Sequence, residues 1–158
     1  MTTIELYTYI KAPITVCFNL SRSAELHMIS TSKTDEKVIA GRSSGLFEKG
    51  DTVTWKARHF GVYHTLQMEI SALSFPYSFE DRMVRGPFKS ICHNHHFQEA
   101  NGLTVMKDVF QYEVPFSLFG QLFNQMILRK HMRNLLEERN RTIKEYAESN
   151  RWREVLPV

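Results

Sequence analysis

Long apolar runs are missing from this chain of 158 residues. No stretch approaches the roughly 20 consecutive apolar residues that a membrane-spanning helix needs, so helical membrane classes are excluded. The first ten residues, MTTIELYTYI, lack a basic start followed by an apolar run. No signal peptide is therefore expected, and the expected location is cytoplasmic. Cysteine is scarce. Cys17 and Cys92 are the only two, lie far apart and form no CxxC pair, which excludes a disulfide framework. Both read as small thiols of a reducing compartment. A strong charge of one sign is also absent: the net charge of +3 is too small to point to nucleic acid. There is no GxSxG elbow, no catalytic cysteine context, and no P-loop pattern in the glycine-containing loop 41–50. Repeats and low-complexity segments are missing too.

What is present suits one soluble domain. Hydrophobic residues make up 42% and charged residues 23%, and the length can bury a sizeable core without staples. Eight Lys and Arg but only five acids lie from residue 118 onward, a surplus equal to the whole net charge. This reads as a solvated helix face whose positive end suits the helix dipole. The alternative is a site for a membrane surface or an acidic partner. Asn19-Leu20-Ser21 and Asn140-Arg141-Thr142 match the glycosylation pattern, but both fall in predicted helices and read as chance.

Residues 3–11 alternate and predict a strand. Pro13 suits the first turn of a helix whose apolar face comes from ITVCFNL. A second short helix follows near 23–30, a short strand at 36–40, and a Gly- and Ser-rich loop. Strands then follow closely at 51–60, 62–73, 77–85, 90–99 and 103–114. Their links are short: Gly61, Phe75-Pro76, Gly86-Pro87 and Asn101-Gly102. Links this short demand antiparallel neighbours, and Asn-Gly is the strongest hairpin signal. Ser117 is a candidate N-cap for a helix over 118–148 of about 45 Å. No other long helix exists to cover the sheet, so this one must cross it. Residues 149–158 read as a C-terminal tail beyond a single domain of 1–148.

Five segments carry a resemblance. They are Lys11-Ala12-Pro13 leading to Phe18, the run Val53-Thr54-Trp55-Lys56-Ala57-Arg58-His59-Phe60-Gly61, and Val84-Arg85-Gly86-Pro87-Phe88. Then come His93, His95 and Phe97 at alternate positions, and Asp108, Phe110 and Tyr112 leading to Val114-Pro115. In this order they resemble the START-like, birch-allergen-like (SRPBCC) superfamily, and within it the bacterial ligand-binding branch grouped with polyketide cyclases. The resemblance implies an α+β helix-grip fold. A curved antiparallel sheet of about seven strands wraps around a long C-terminal helix, with two short helices after strand 1. It implies no metal or other cofactor, and it does not fix function, because carriers, sensors, cyclases and hydrolases share the scaffold.

Alternation assigns faces. Lys56 and Arg58 belong in water, which turns Val53, Trp55, Ala57 and His59 inward. Val62, His64, Leu66, Met68 and Ile70 form the next inner set. Phe79, Asp81, Met83 and Arg85 follow, then Ile91, His93, His95 and Phe97. The strand 103–114 is apolar on both faces; the resemblance turns Thr104, Met106, Asp108, Phe110 and Tyr112 inward. Phe119, Phe123 and Met126 complete the wall from the helix. Any one of these aromatic residues could be plain core, and any one histidine a hydrogen-bonded structural residue. Together they describe apolar walls with a few convergent polar groups, the usual anatomy of a small-molecule site.

Three functions compete. One is binding of an apolar or amphipathic small molecule. The second is an enzyme of cyclase, dehydratase or hydrolase type. In it His93 or His95 would be the acid–base, Asp108 would orient it, and Arg85 would stabilise an oxyanion. An inward Arg85 needs an anion, from Asp81, Asp108 or a ligand. The third is an interaction module using the basic helix or the outer sheet face. His93, His95, His96 and Asp108 also offer zinc-type ligands; His96 should point to the opposite face, which leaves His93 and His95 with His59 or Asp108 to complete such a site. No nucleic-acid partner is expected, and a homodimer stays open.

Overall fold

The computed structural model describes residues 1–115 and 118–157, with the backbone alone for 118 and 119. Its elements are β1 (Thr2–Ile10), α1 (Ile14–Ser21), α2 (Ala24–Ser30), β2 (Lys37–Gly41), β3 (Thr52–His59), β4 (Val62–Ser74), β5 (Ser78–Arg85), β6 (Ser90–Ala100) and β7 (Leu103–Glu113). They continue with α3 (Leu118–Phe123), a π-helical turn (Asn124–Leu128), α4 (Arg129–Glu148) and α5 (Trp152–Val155). The strands form one antiparallel sheet in the order β1-β7-β6-β5-β4-β3-β2. The long crossover from β1 to the far edge carries α1 and α2, and the C-terminal helix runs back over the sheet. This is the helix-grip arrangement.

Local chemistry explains the elements. In β1, Ile4, Leu6 and Ile10 are buried while Thr3, Glu5 and Tyr7 are exposed, the two-residue period of a half-buried strand. In α1, buried Ile14, Cys17, Phe18 and Leu20 share one face. The Phe18 ring meets Phe75, Phe79 and Phe97 edge-on at 5.2–5.5 Å, pairs worth about 1 kcal/mol each beyond area burial. Ser23 caps α2 by accepting from Leu26 N at 3.2 Å. Both cysteines are free, and burial pushes the Cys17 thiol up to about 11.

Two hairpins close on consecutive left-handed residues. One is Asn101-Gly102, at φ 51° and 75°, the pair the sequence marked. The other is Phe60-Gly61, at φ 51° and 77°. A bulky side chain rarely adopts φ > 0, at a cost of about 1–2 kcal/mol. Phe60 holds it while exposed, with its ring 4.6 Å from His131 and 5.4 Å from Phe123 across the gap to the helix. Phe60→Asn is expected to raise stability by about 1 kcal/mol, because Asn tolerates this conformation. Urea denaturation checks this; a loss of stability would mean that the ring contacts outweigh the turn.

Two features change which residues face inward. Between β4 and β5, Met83 pairs with Met68 but Arg85 pairs with Gln67, so Val84 is an extra residue. Such a bulge flips every later side chain to the other face. Arg85, expected inside, is exposed on the outer side at the strand end. The second feature is the π-helical turn. Asn124 within it accepts from Tyr112 Oη at 2.6 Å and donates to Thr2 Oγ1 at 2.8 Å. The added residue shifts the helix phase. Met126, expected on the inner wall, is 68% exposed instead. Ser117 and the Phe119 side chain lie outside the described residues. Val62, also assigned inward, is exposed beside the Phe60-Gly61 turn.

Beyond Glu148 the described residues pack on the domain. α5 lies against α1, Leu156 is buried in the core, and Arg151 stacks 4.3 Å over Tyr146 while donating to its hydroxyl.

Candidate functional site

Between the sheet and the helix lies a cavity of about 540 Å³, within the usual range for small-molecule sites. Trp55, Ala57, Leu66, Met68, Ile70 and Phe79 form its sheet wall, and Leu128, Met132, Leu135 and Leu136 form its helix wall. His59, His64, Asp81, His93, His95, Phe110 and Phe123 also line it. Among the other sequence-derived candidates, Phe97, Met106 and Tyr112 are buried in the core outside this lining, and Met83 is half-buried beside it. Asp108 is fully buried behind the wall.

β6 and β7 put the polar floor together. His95 pairs with Asp108, and His93 with Phe110, in an unbroken register. Asp108 Oδ1 accepts from His93 Nε2 at 2.9 Å and lies 3.0 Å from His95 Nδ1. Its Oδ2 accepts from Asn140 Nδ2 at 2.6 Å, and Arg139 Nη1 reaches Oδ1 at 3.4 Å. Burial works against the Asp108 charge. The histidine hydrogen bonds and the Arg139 guanidinium outweigh it and hold the carboxyl well below the usual range. Burial, with His95 alongside, pushes His93 down to about 4, so its ring is neutral near pH 7. His95 Nε2 faces Asp81 Oδ2 at 3.2 Å on the cavity side. Burial opposes the Asp81 charge as well, but the His95 contact wins and its carboxyl lies below the ordinary range.

Arg139 and Asn140 were missed among the charges of a helix read as solvated. Arg139 is buried; it donates to Ser21 O at 3.2 Å and to Asn140 Oδ1 at 3.0 Å. A signal existed. Leu136, Ile143, Tyr146 and Ala147 mark the buried stripe of α4, and positions 139 and 140 fall on that stripe. The cation expected from Arg85 thus comes from the helix.

Where the β3–β4 turn meets the helix, exposed Phe60 and Phe123 line the cavity. His59 Nδ1 and His131 Nε2 share a hydrogen bond of 3.1 Å there, and His64 lies beside them. Burial lowers both His59 and His131, and the His131 charge lowers His59 further. His131 was not singled out in the sequence. Further along the wall, His27 stacks on Trp55 at 4.1 Å and bonds Glu36 at 2.7 Å. Arg22 bonds Phe47 O at 3.0 Å and Glu48 at 2.7 Å.

No family model and no curated protein matches the sequence. Solved structures do match. A Thermus thermophilus protein, TTHA0849, shares 17% identity at a TM-score of 0.75, covering 92% of this chain and 97% of that one. A START superfamily protein from Mycobacterium smegmatis shares 10% at a TM-score of 0.69, covering 92% and 97%. The ginseng major latex-like protein 151 from Panax ginseng shares 17% at 0.65, covering 94% and 98%. At such identities the likeness is one of fold, and it agrees with the strand order, the paired short helices and the crossing helix. The chain therefore has the helix-grip fold of the START-like, birch-allergen-like superfamily.

Proposed function

We propose that the protein binds an apolar or amphipathic small molecule in the cavity between sheet and helix, as a soluble cytoplasmic carrier or sensor. The observation that carries this reading is the cavity itself: about 540 Å³ with mostly apolar walls and one polar floor. A core built only for stability would close such a space, since voids cost roughly 24 cal/mol per Å³. Native mass spectrometry of gently purified protein, with a panel of fatty acids and aromatic polyketides, tests it. Retention of at least one ligand class in a one-to-one complex is expected. Uptake of no apolar compound would remove the reading.

An enzymatic reading, on the polyketide cyclase-like pattern, has one observation in its favour. His93 lines the cavity with Asp108 behind it, an acid–base arrangement. Arg85 has no part in it, being outside. Loss of turnover of an identified ligand in His93→Gln supports this reading, and unchanged turnover removes it.

The rim adds a surface. Phe60, Val62, Leu122, Phe123, Met126 and Ile127 are exposed, and Phe60 and Phe123 among them line the cavity. Exposed Arg129, Lys130 and Arg133 adjoin them, and the sequence has no acid from 118 to 136. Exposed apolar groups flanked by cations suit an anionic bilayer surface. Sedimentation with phosphatidylserine vesicles is expected at low salt, with most binding lost in Met126→Asp. Equal binding to neutral vesicles, or an unchanged Met126→Asp, would contradict this role.

A further inference from the structure

Among the described residues, Asp81, His93 and His95 each offer a metal-type ligand atom within 4.8 Å of the others. All three line the cavity, on the adjacent strands β5 and β6, where Asp81 pairs with His93. A carboxylate only accepts, so His93 Nε2 carries the hydrogen that it gives to Asp108, while His95 Nδ1, 3.0 Å from Asp108 Oδ1, accepts from Arg139 Nη2 at 3.4 Å. His95 Nε2 then carries the ring hydrogen and gives it to Asp81 Oδ2 at 3.2 Å. A metal ion that took His95 Nε2 would move the ring hydrogen to Nδ1, 3.0 Å from Asp108 Oδ1, and would also take His93 Nδ1, which forms no hydrogen bond among the described residues.

We propose that Asp81, His93 and His95 form a binding site for a divalent transition-metal ion of zinc type, with a fourth coordination position open to the cavity. Two imidazoles and a carboxylate are the ligand set of three-ligand zinc sites that keep one position free. The second layer fits as well. Metal-bound histidines usually donate their other nitrogen to a carboxylate, which fixes the tautomer and raises basicity. Here one fully buried carboxylate, Asp108, serves both histidines and is itself held by Asn140 at 2.6 Å and Arg139 at 3.4 Å. Charge points the same way. Asp81 and Asp108 against Arg139 leave one negative charge around neutral imidazoles. A divalent ion reverses that to one positive charge, which an anionic oxygen at the open position cancels. The fourth ligand is therefore a hydroxide, or the carboxylate or enolate oxygen of the molecule in the cavity. The site goes beyond apolar-ligand binding and does not depend on it, because water or hydroxide can complete the coordination.

The test uses the full chain, stripped with a chelator and titrated with Co²⁺ and then Zn²⁺ without any organic ligand. One equivalent of Co²⁺ should give the visible bands of a four-coordinate ion, and Zn²⁺ should displace it and raise Tm. Asp81→Asn, half-buried at the cavity wall and so mild for folding, should weaken binding about tenfold or more. Asp108→Asn should weaken it by about 10–100-fold through the second layer. His131→Gln should leave it unchanged. In the wild type, histidine ring NMR signals of His93 and His95 should shift with Zn²⁺ while those of His131 stay, a readout that needs no variant. No visible band at tenfold Co²⁺ excess and no Tm rise with Zn²⁺ would overturn the proposal. So would binding that survives Asp81→Asn but is lost in His131→Gln, since the ion would then sit at the His59–His131 pair.

Discussion

Asp108→Ala should destabilise the protein by about 3–5 kcal/mol, the usual cost of breaking a buried ion pair from one side. Asp108 is fully buried; it accepts from His93, Asn140 and Arg139 and lies 3.0 Å from His95 Nδ1. Removing it strands the Arg139 guanidinium, of which little remains accessible, and takes away the acceptor that fixes the His93 imidazole. A domain of this size has only about 5–15 kcal/mol in total, so one substitution removes a large share. Asp108→Asn keeps the volume and one acceptor, and should cost less. The pair Asp108→Leu with Arg139→Met, which removes both charges, should recover part of the loss, because apolar replacement of a buried pair is often neutral. Urea midpoints measure all three. Asp108→Ala within about 1 kcal/mol of wild type would show that the network adds little.

Filling the cavity should separate binding from stability. Ala57 is buried on β3 and lines the cavity. Ala57→Phe places a ring in space that is otherwise empty of protein. Affinity for a fatty acid or an apolar fluorescent probe should fall tenfold or more, about 1.4 kcal/mol at the least. Stability should stay within about 1 kcal/mol of wild type, since the added ring meets apolar walls. Fluorescence titration and urea denaturation read the two quantities on the same sample. A large loss of stability with unchanged affinity would place the ligand elsewhere.

The sequence was most legible where strands run without interruption. β6 and β7 pair residue for residue from Ser90 to Ala100. Alternation there assigned Ile91, His93, His95 and Phe97 to the inner face, and the resemblance added Thr104, Met106, Asp108, Phe110 and Tyr112; all nine are buried. Legibility failed where one residue changed the parity. Val84 is such a residue in β5, and it sent Arg85 outward. The π-helical turn did the same to Met126, because strict 3.6-residue spacing does not foresee an inserted residue held by Asn124. Arg139 and Asn140 failed for another reason. Charge was taken as a sign of solvent, although Leu136 and Ile143 fix that face as buried. A charged residue inside an apolar stripe was the signal that pointed to the Asp108 network.

The two tryptophans allow a direct test of where a ligand sits. Trp55 lines the cavity, stacked on His27, while Trp152 lies on α5 beneath Arg153 and away from it. Uniformly ¹⁵N-labelled protein gives one indole signal for each. On titration with a medium-chain fatty acid, the Trp55 indole signal should move and saturate at one equivalent while that of Trp152 stays. Movement of Trp152 alone, or of neither, would contradict binding between the sheet and the helix.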